Sequence, residues 1–347
     1  MTLPPLSLRA RIVALTAATA VLATVAVGYT VAAADGDGRP PESVAAPGLT
    51  LDNTPGLYHA ARNGNVRSAP YSSSGTGAAD GARSRNTGLS CDRFYASGRS
   101  AVCIASHPGI SQKTKVNVLD RELNTRRTVV VGGIPDRARV SPSGRMVAWT
   151  LFVSGDSYAS SSFSTRSGIL DTRTGYLVKN VETLQLYLEG RRYHAPDVNY
   201  WGITFADDDN RFYATVATKG KTYLVEGDIK SWKARTLRRN VECPSLSPDG
   251  TRIAFKKRVR EGAQDPWRLH VLDLRTMRET PVAETRSVDD QAAWLDDSTL
   301  AYALPGRAKG TSDIWTVPVP VPADASAAGP SLLLSGASSP SMVAAGG

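Results

Sequence analysis

The sequence predicts an all-β protein, a six-bladed β-propeller closed by strands from both chain ends. Three observations predict it. A hairpin pattern recurs at a period of roughly 40–50 residues, the spacing of propeller blades. Its best copies turn on Pro248-Asp249-Gly250 and Pro142-Ser143-Gly144 between alternating apolar residues. The C-terminal Ser338-Ser339-Pro340-Ser341-Met342 repeats Glu242-Cys243-Pro244-Ser245-Leu246, so the chain ends on half a copy.

Each copy reads as a hairpin because proline presets the φ of a turn and glycine supplies its left-handed residue. The clearest run is Glu242–Phe255, followed by Asp136–Trp149; weaker copies cover Ser90–Cys103, Tyr200–Thr215 and Asp290–Tyr302. Further strands are expected at Lys115–Asp120, Gly168–Asp171, Thr222–Gly227, Trp267–Leu274 and Asp313–Val317, each followed by a polar turn and another short run. That makes four strands per repeat, the content of a blade. Five copies are complete, and the C-terminal half-copy is the inner strand of a sixth. Its outer strands then come from Leu57–Ala60 and Asn65–Ser68, with Tyr71–Asn86 a loop inside the shared blade. Sharing one blade between the chain ends removes the open edge.

The Ser-Pro-Asp-Gly…Ile-Ala-Phe hairpin, set after strands such as Leu269–Asp273 and Asp313–Val317, resembles the TolB-type propeller repeat over about residues 47–347. The resemblance implies the fold, an envelope location and a habit of binding proteins. TolB proteins carry an N-terminal α/β domain, whereas only a short tether is expected before the propeller here. A role in the Tol–Pal envelope complex is therefore not carried over.

Before the repeats, Arg9 and Arg11 precede an uncharged run from Ile12 to Ala34 that ends in three alanines before Asp35. This pattern fits an export signal with a small-residue cleavage site; an uncleaved membrane anchor is the rival reading. Residues 1–34 are thus read as signal or anchor, 35–46 as a tether and 47–347 as the propeller. An extracytoplasmic protein of the cell envelope is expected, secreted or membrane-anchored. The net charge is +9, but basic pairs such as Arg126-Arg127 and Arg238-Arg239 are scattered and lack an interleaved aromatic platform. Nucleic acid is not an expected partner.

Counting back from the turn glycines gives one residue per blade at the start of the innermost strand. These are Ser90, Asp136, Tyr200, Glu242, Asp290 and Ser338. All six are expected around one mouth of the central channel, with Asp289, Asn199 and Asp197 nearby in sequence. Crowded oxygens suit a cation, an amine or a basic peptide, calcium included. The plainer reading is that strand starts are polar because they are wet. No cofactor is expected otherwise.

A second candidate is the expanded segment Gly190–Trp201, where Arg191, Arg192, Tyr193 and Trp201 are residue types that interfaces favour. Cys91 and Cys103 are expected to form a disulfide across a hairpin turning on Ala96-Ser97-Gly98, with Tyr95 opposite Arg99; two buried thiols are the alternative. Cys243 is expected as a buried free thiol facing Phe255.

Enzyme signatures are weak. Gly155-Asp156-Ser157-Tyr158-Ala159 lacks the strand-to-helix setting of a nucleophile elbow. His59, His107, His194 and His270 have no zinc-ligand spacing, and Asp207-Asp208-Asp209 reads as a hairpin turn. The expectation is a monomeric, non-enzymatic propeller that binds an envelope protein or wall component at the channel mouth. An uncleaved N-terminal segment would add membrane contact. The alternative is a hydrolase or lyase that uses the acidic ring, with or without a divalent cation.

Overall fold

The computed structural model describes residues 45–71, 83–107, 113–153, 164–262, 264–319 and 328–344. The export segment, most of the tether, the greater part of the Tyr71–Asn86 loop and the Gly155–Ala159 motif lie outside the described residues.

The chain enters the propeller through β1 (Gly56–Ala61), β2 (Asn65–Ala69) and β3 (Arg85–Ser90). The first complete blade follows as β4 (Arg93–Ser97), β5 (Ser100–His107), β6 (Lys113–Leu119) and β7 (Thr125–Gly132). The second is β8 (Ile134–Val140), β9 (Met146–Val153), β10 (Ser164–Asp171) and β11 (Leu177–Val178). A hairpin of β12 (Gln185–Leu188) and β13 (Arg191–Tyr193) precedes the third, which is β14 (Asn199–Phe205), β15 (Arg211–Thr218), β16 (Lys221–Asp228) and β17 (Lys233–Arg239). The fourth is β18 (Glu242–Leu246), β19 (Arg252–Arg258), β20 (Trp267–Asp273) and β21 (Glu279–Pro281). The fifth is β22 (Ala293–Asp296), β23 (Thr299–Pro305), β24 (Ser312–Pro318) and β25 (Ser331–Leu334). The last strand, β26 (Ala337–Val343), pairs with β1 to give the order β26-β1-β2-β3. Six blades result, and the expected closure by both chain ends is present.

The inner strands β4, β8, β14, β18, β22 and β26 each pack against the next, and β26 returns to β4. This cycle of contacts is the propeller ring. Among the described residues, the third blade alone departs from four strands. There β12 joins β17 in parallel and β13 adds outside it, giving β13-β12-β17-β16-β15-β14.

The repeated sequence acts locally as expected. Ser141 and Ser247 open their turns: the amides of Gly144 and Gly250 donate to their carbonyls at 2.9 Å. Their hydroxyls accept from Met146 N and Arg252 N at 3.0 Å. In the third blade Asp209 takes the glycine's place at φ 52°. Asp208 Oδ1 accepts from the amides of Asn210 and Arg211, so the aspartate run is a turn.

Aromatic residues on the second strands fill the core between blades. Trp149, Phe212 and Phe255 are all buried. Gly168 lies opposite Trp149 and Gly227 opposite Phe212, and a Cβ on either glycine would enter the ring's volume.

Candidate functional site

The inner-strand starts form one cluster. Asp136 on β8 and Glu242 on β18 are buried, and Asp290 lies just before β22. Arg137 Nη1 donates to Asp136 Oδ1 at 2.7 Å and stands 4.0 Å from Asp290 Oδ1. Its Nη2 donates to the Asp289 carbonyl at 3.2 Å. Lys256 Nζ lies 4.0 Å from Glu242 Oε2 and pairs directly with Asp289. Arg93 Nε donates to the Asp136 carbonyl at 2.7 Å.

The three carboxylates therefore approach one another, but not as an open acidic ring. The chain supplies its own cations: Lys256 is as buried as Glu242, and Arg137 is largely buried beside Asp136. Burial raises the pKa of Asp136 against the pull of Arg137, and that of Glu242 against the pull of Lys256. Among the described residues no group of three or more His, Cys, Asp and Glu side chains is placed to hold a metal ion. This end of the channel is an ion-paired plug.

Two of the six counted positions lie elsewhere. Ser90 ends β3, the outermost strand of the sixth blade, opposite Asn65. The count from Gly98 overshoots because that hairpin pairs Ser97 with Ser100 across a two-residue turn. Tyr200 is almost fully buried in the core between the second and third blades, and its hydroxyl meets no hydrogen-bond partner among the described residues. Because Asp209 stands in the glycine's place, Trp201 and not Tyr200 is the counterpart of Glu242. A one-residue shift turns a strand side chain to the other face. Ser338 does lie at the start of an inner strand, β26, opposite Ala60; it is half-buried and makes no hydrogen bond or ion pair to the cluster.

The opposite end of the channel is open. There the inner hairpin turns of five blades and the end of β26 surround a funnel of about 970 Å³. Its wall includes Tyr95, Val140, Phe205, Leu246, Trp294 and Met342, one from each blade. Acidic and basic groups share the rim: Asp52, Asp207, Asp296 and Asp297 with Arg99 and Arg211. Asp52 is held 3.4 Å from Arg99 and 3.6 Å from Arg121. Arg139 from β8 also lines the funnel, yet is only 7% exposed. Its Nη2 donates to the carbonyls of Ala292 at 2.7 Å and Gln291 at 3.2 Å, and its guanidinium stacks 4.4 Å from the Tyr95 ring. Burial pulls its pKa down.

No family profile matches this sequence, and no curated protein matches it. Solved structures do. TolB from Acinetobacter baumannii superposes with a TM-score of 0.56 at 14% identity, covering 84% of this chain and 67% of that one. The fold is that of a TolB-like β-propeller. A chain from a nidogen/laminin complex gives a TM-score of 0.54 at 10% identity, over 83% of this chain and 98% of that one. Putative TolB from Agrobacterium tumefaciens matches at a TM-score of 0.44 and 13% identity, over 73% and 84% of the two chains.

In this TolB-like propeller the Gly190–Trp201 segment does not form one site. Arg191 and Arg192 are exposed on β13, the outer edge of the third blade. Tyr193 is half-buried there, its hydroxyl 2.9 Å from Thr218 Oγ1 and its ring 4.9 Å from Lys219 Nζ. Trp201 is buried on β14, at the other end of the six-stranded sheet. At ~4.8 Å per strand, about 24 Å of sheet separates the two. Arg191 and Arg192 therefore neighbour neither channel mouth. Nor does Asp197 join the plug: it accepts from Thr218 Oγ1 at 2.8 Å and Lys219 N at 2.6 Å.

The Cys91–Cys103 disulfide is present, in another register than the hairpin count gives. Cys103 faces Phe94, Tyr95 faces Val102, and Cys91 sits in the link between β3 and β4. The bond thus fastens the crossover from the sixth blade to the first. Cys243 is free and buried, but lies in a bulge between the Glu242–Lys256 and Ser245–Ala254 pairs instead of facing Phe255. Its φ is 49°, and the equivalent Ser339 has 53°, so the two copies share a left-handed residue before proline.

The funnel was missed because its residues fall at strand ends of five different inner hairpins and the chain's last strand. No single stretch of sequence carries it.

Proposed function

We propose that this chain is an exported, non-enzymatic binding module of the cell envelope, and that it receives a segment of a partner in the hairpin-side funnel. The observation that supports this reading is the contrast between the channel's two ends. One is filled by Asp136, Glu242, Asp290, Arg137 and Lys256, whose charges satisfy one another. The other is a cavity of about 970 Å³ with an aromatic and aliphatic wall and a polar rim. That combination is what small ligands and peptide segments use, burying apolar area while a few polar groups fix orientation. A hydrolase or lyase acting through the acidic ring loses its appeal, because those carboxylates already hold guanidinium and ammonium partners. Extracytoplasmic placement rests on the Ile12–Ala34 run and on the disulfide, which persists in oxidising compartments.

A photoreactive amino acid at Leu246 or Met342, on the funnel wall, should cross-link a specific partner from an envelope extract. The same group at Arg192, on the outer edge of the third blade, should not. Cross-links confined to Arg192 would move the binding site to the blade edge. Sequencing the N-terminus of the secreted protein tests export, with Asp35 the expected first residue.

A further inference from the structure

We infer that the funnel recognises a carboxylate: Arg139 at its floor takes the carboxylate of an extended peptide segment, while the apolar wall takes the residues beside it. This rests on the funnel being the binding site.

Among the described residues, Arg137, Arg139 and Lys256 are buried or largely buried in the channel, and they are not treated alike. Arg137 has Asp136 at 2.7 Å and Asp290 at 4.0 Å. Lys256 has Glu242 at 4.0 Å and Asp289 closer still. Arg139, 7% exposed, has no carboxylate of the described residues within ion-pairing distance. Its acceptors are the neutral carbonyls of Ala138, Gln291 and Ala292. Its Nε–H meets no partner among the described residues. A guanidinium offers five donors in a fork and stays charged even when buried. Burying such a charge without an anion is costly, and the cost is relieved by whatever anion reaches it.

The wall says what carries that anion. Tyr95, Val140, Phe205, Leu246, Trp294 and Met342 offer apolar surface and aromatic faces to a chain that follows the charge inward. The rim argues against a polyanion. Its four aspartates outnumber its two arginines, so a phosphate-rich polymer would be repelled at the entrance. A single carboxylate on an otherwise uncharged or basic segment would not. Two peptide groups share this chemistry, the C-terminal carboxylate and an Asp or Glu side chain, and one experiment separates them.

A random heptapeptide library is displayed in two formats, with free C-termini and with the heptamers embedded between neutral flanks, and selected on the full exported protein. Peptides are expected that compete for the funnel, as shown by loss of binding to Leu246→Glu. Enrichment only among free C-termini assigns the terminal carboxylate; a fixed Asp or Glu in the embedded format assigns a side chain. Converting that carboxylate to its amide should weaken binding to the wild-type protein about 10- to 100-fold, the range of a charge-assisted hydrogen-bonded contact. Arg139→Gln should remove the preference for acid over amide, and Arg139→Lys should keep part of it. Because Arg139 variants can lose fold, the acid-to-amide ratio on wild type stands as an independent test. Peptides that need the funnel yet bind equally as acid and amide would overturn the carboxylate assignment and leave the funnel reading intact. Selected peptides indifferent to Leu246→Glu would overturn the funnel reading itself. A library yielding no binders in either format counts against both.

Discussion

Glu242 and Lys256 face each other across the β18–β19 hairpin, and the lysine ammonium lies 4.0 Å from the glutamate Oε2 while also binding Asp289. The pair is buried, so it is costly to break from one side. A lone charge in a dry site loses its water and gains nothing.

Lys256→Met should destabilise the protein by about 3–5 kcal/mol, because Glu242 is left buried beside a thioether. The double variant Lys256→Met with Glu242→Gln should recover part of the loss. Urea denaturation of wild type, Lys256→Met, Glu242→Gln and the double variant gives the coupling directly. A single variant as stable as wild type would mean that Asp289 and solvent compensate for the lost ammonium.

How much of this was legible in sequence follows from the kind of signal each feature leaves. The blades were legible because Ser-Pro-x-Gly turns are local and repeat. The clustering of Asp136, Glu242 and Asp290 follows from the same register. Their neutralisation was half legible: Arg137 is the next residue in sequence, and the hairpin register sets Lys256 opposite Glu242. Positions counted from an imperfect turn were not. Gly98 sits in a shorter turn where its missing Cβ lets the chain pass Pro142 O, so the count from it lands on Ser90, one strand outside the blade. Asp209 hides a glycine-like conformation behind an aspartate, and Tyr200 stands in for Trp201. The funnel lay beyond reach because it is assembled from all six blades.

Acid should destabilise the protein through His59. This side chain is 5% exposed on β1, and burial, with help from Arg67, lowers its pKa from 6.5 to about 4. The folded state therefore holds the neutral ring while the unfolded chain prefers the imidazolium. Stability from this group is full above pH 6.5 and is lost as pH falls toward 4. A shift of that size corresponds to about 3 kcal/mol. Unfolding free energies of wild type and His59→Gln at several pH values across this window should converge as pH falls. Parallel curves would show that other groups carry the acid sensitivity.

Reduction should loosen the seam between the sixth and first blades. The Cys91–Cys103 bond closes a short loop, with a sequence separation of 12, and such a loop is worth about 3 kcal/mol. The Cys91→Ala, Cys103→Ala protein should melt lower than wild type and show its earliest amide exchange in β3, β4 and β26. Cys243 should react with a thiol reagent only after unfolding, since its side chain is buried. Labelling of Cys243 in the native protein would mean that the inner-strand bulge opens on its own.

The last prediction concerns a methyl group. Gly168 on β10 lies opposite Trp149 on β9, and the indole covers the space where a side chain would start. A Cβ placed there would be 2.5 Å from Trp149 Cζ2, well inside contact distance. Trp149 is 1% exposed and packed with Val102, Ile104, Val140 and Leu151, so it has nowhere to retreat. Gly168 is extended rather than left-handed, so an alanine brings no backbone strain and even restricts the unfolded chain, an effect that favours folding by about 0.4–1 kcal/mol. Overpacking opposes it with about 1–3 kcal/mol, and the collision is with a rigid ring, so the upper half of that range should apply. Gly168→Ala should therefore lower stability by about 1–2 kcal/mol net. Combining it with Trp149→Phe should recover much of that loss, because the smaller ring vacates the volume the methyl needs. Thermal denaturation of the two single variants and the pair measures the interaction. Strict additivity would show that the indole does not hold the glycine in place.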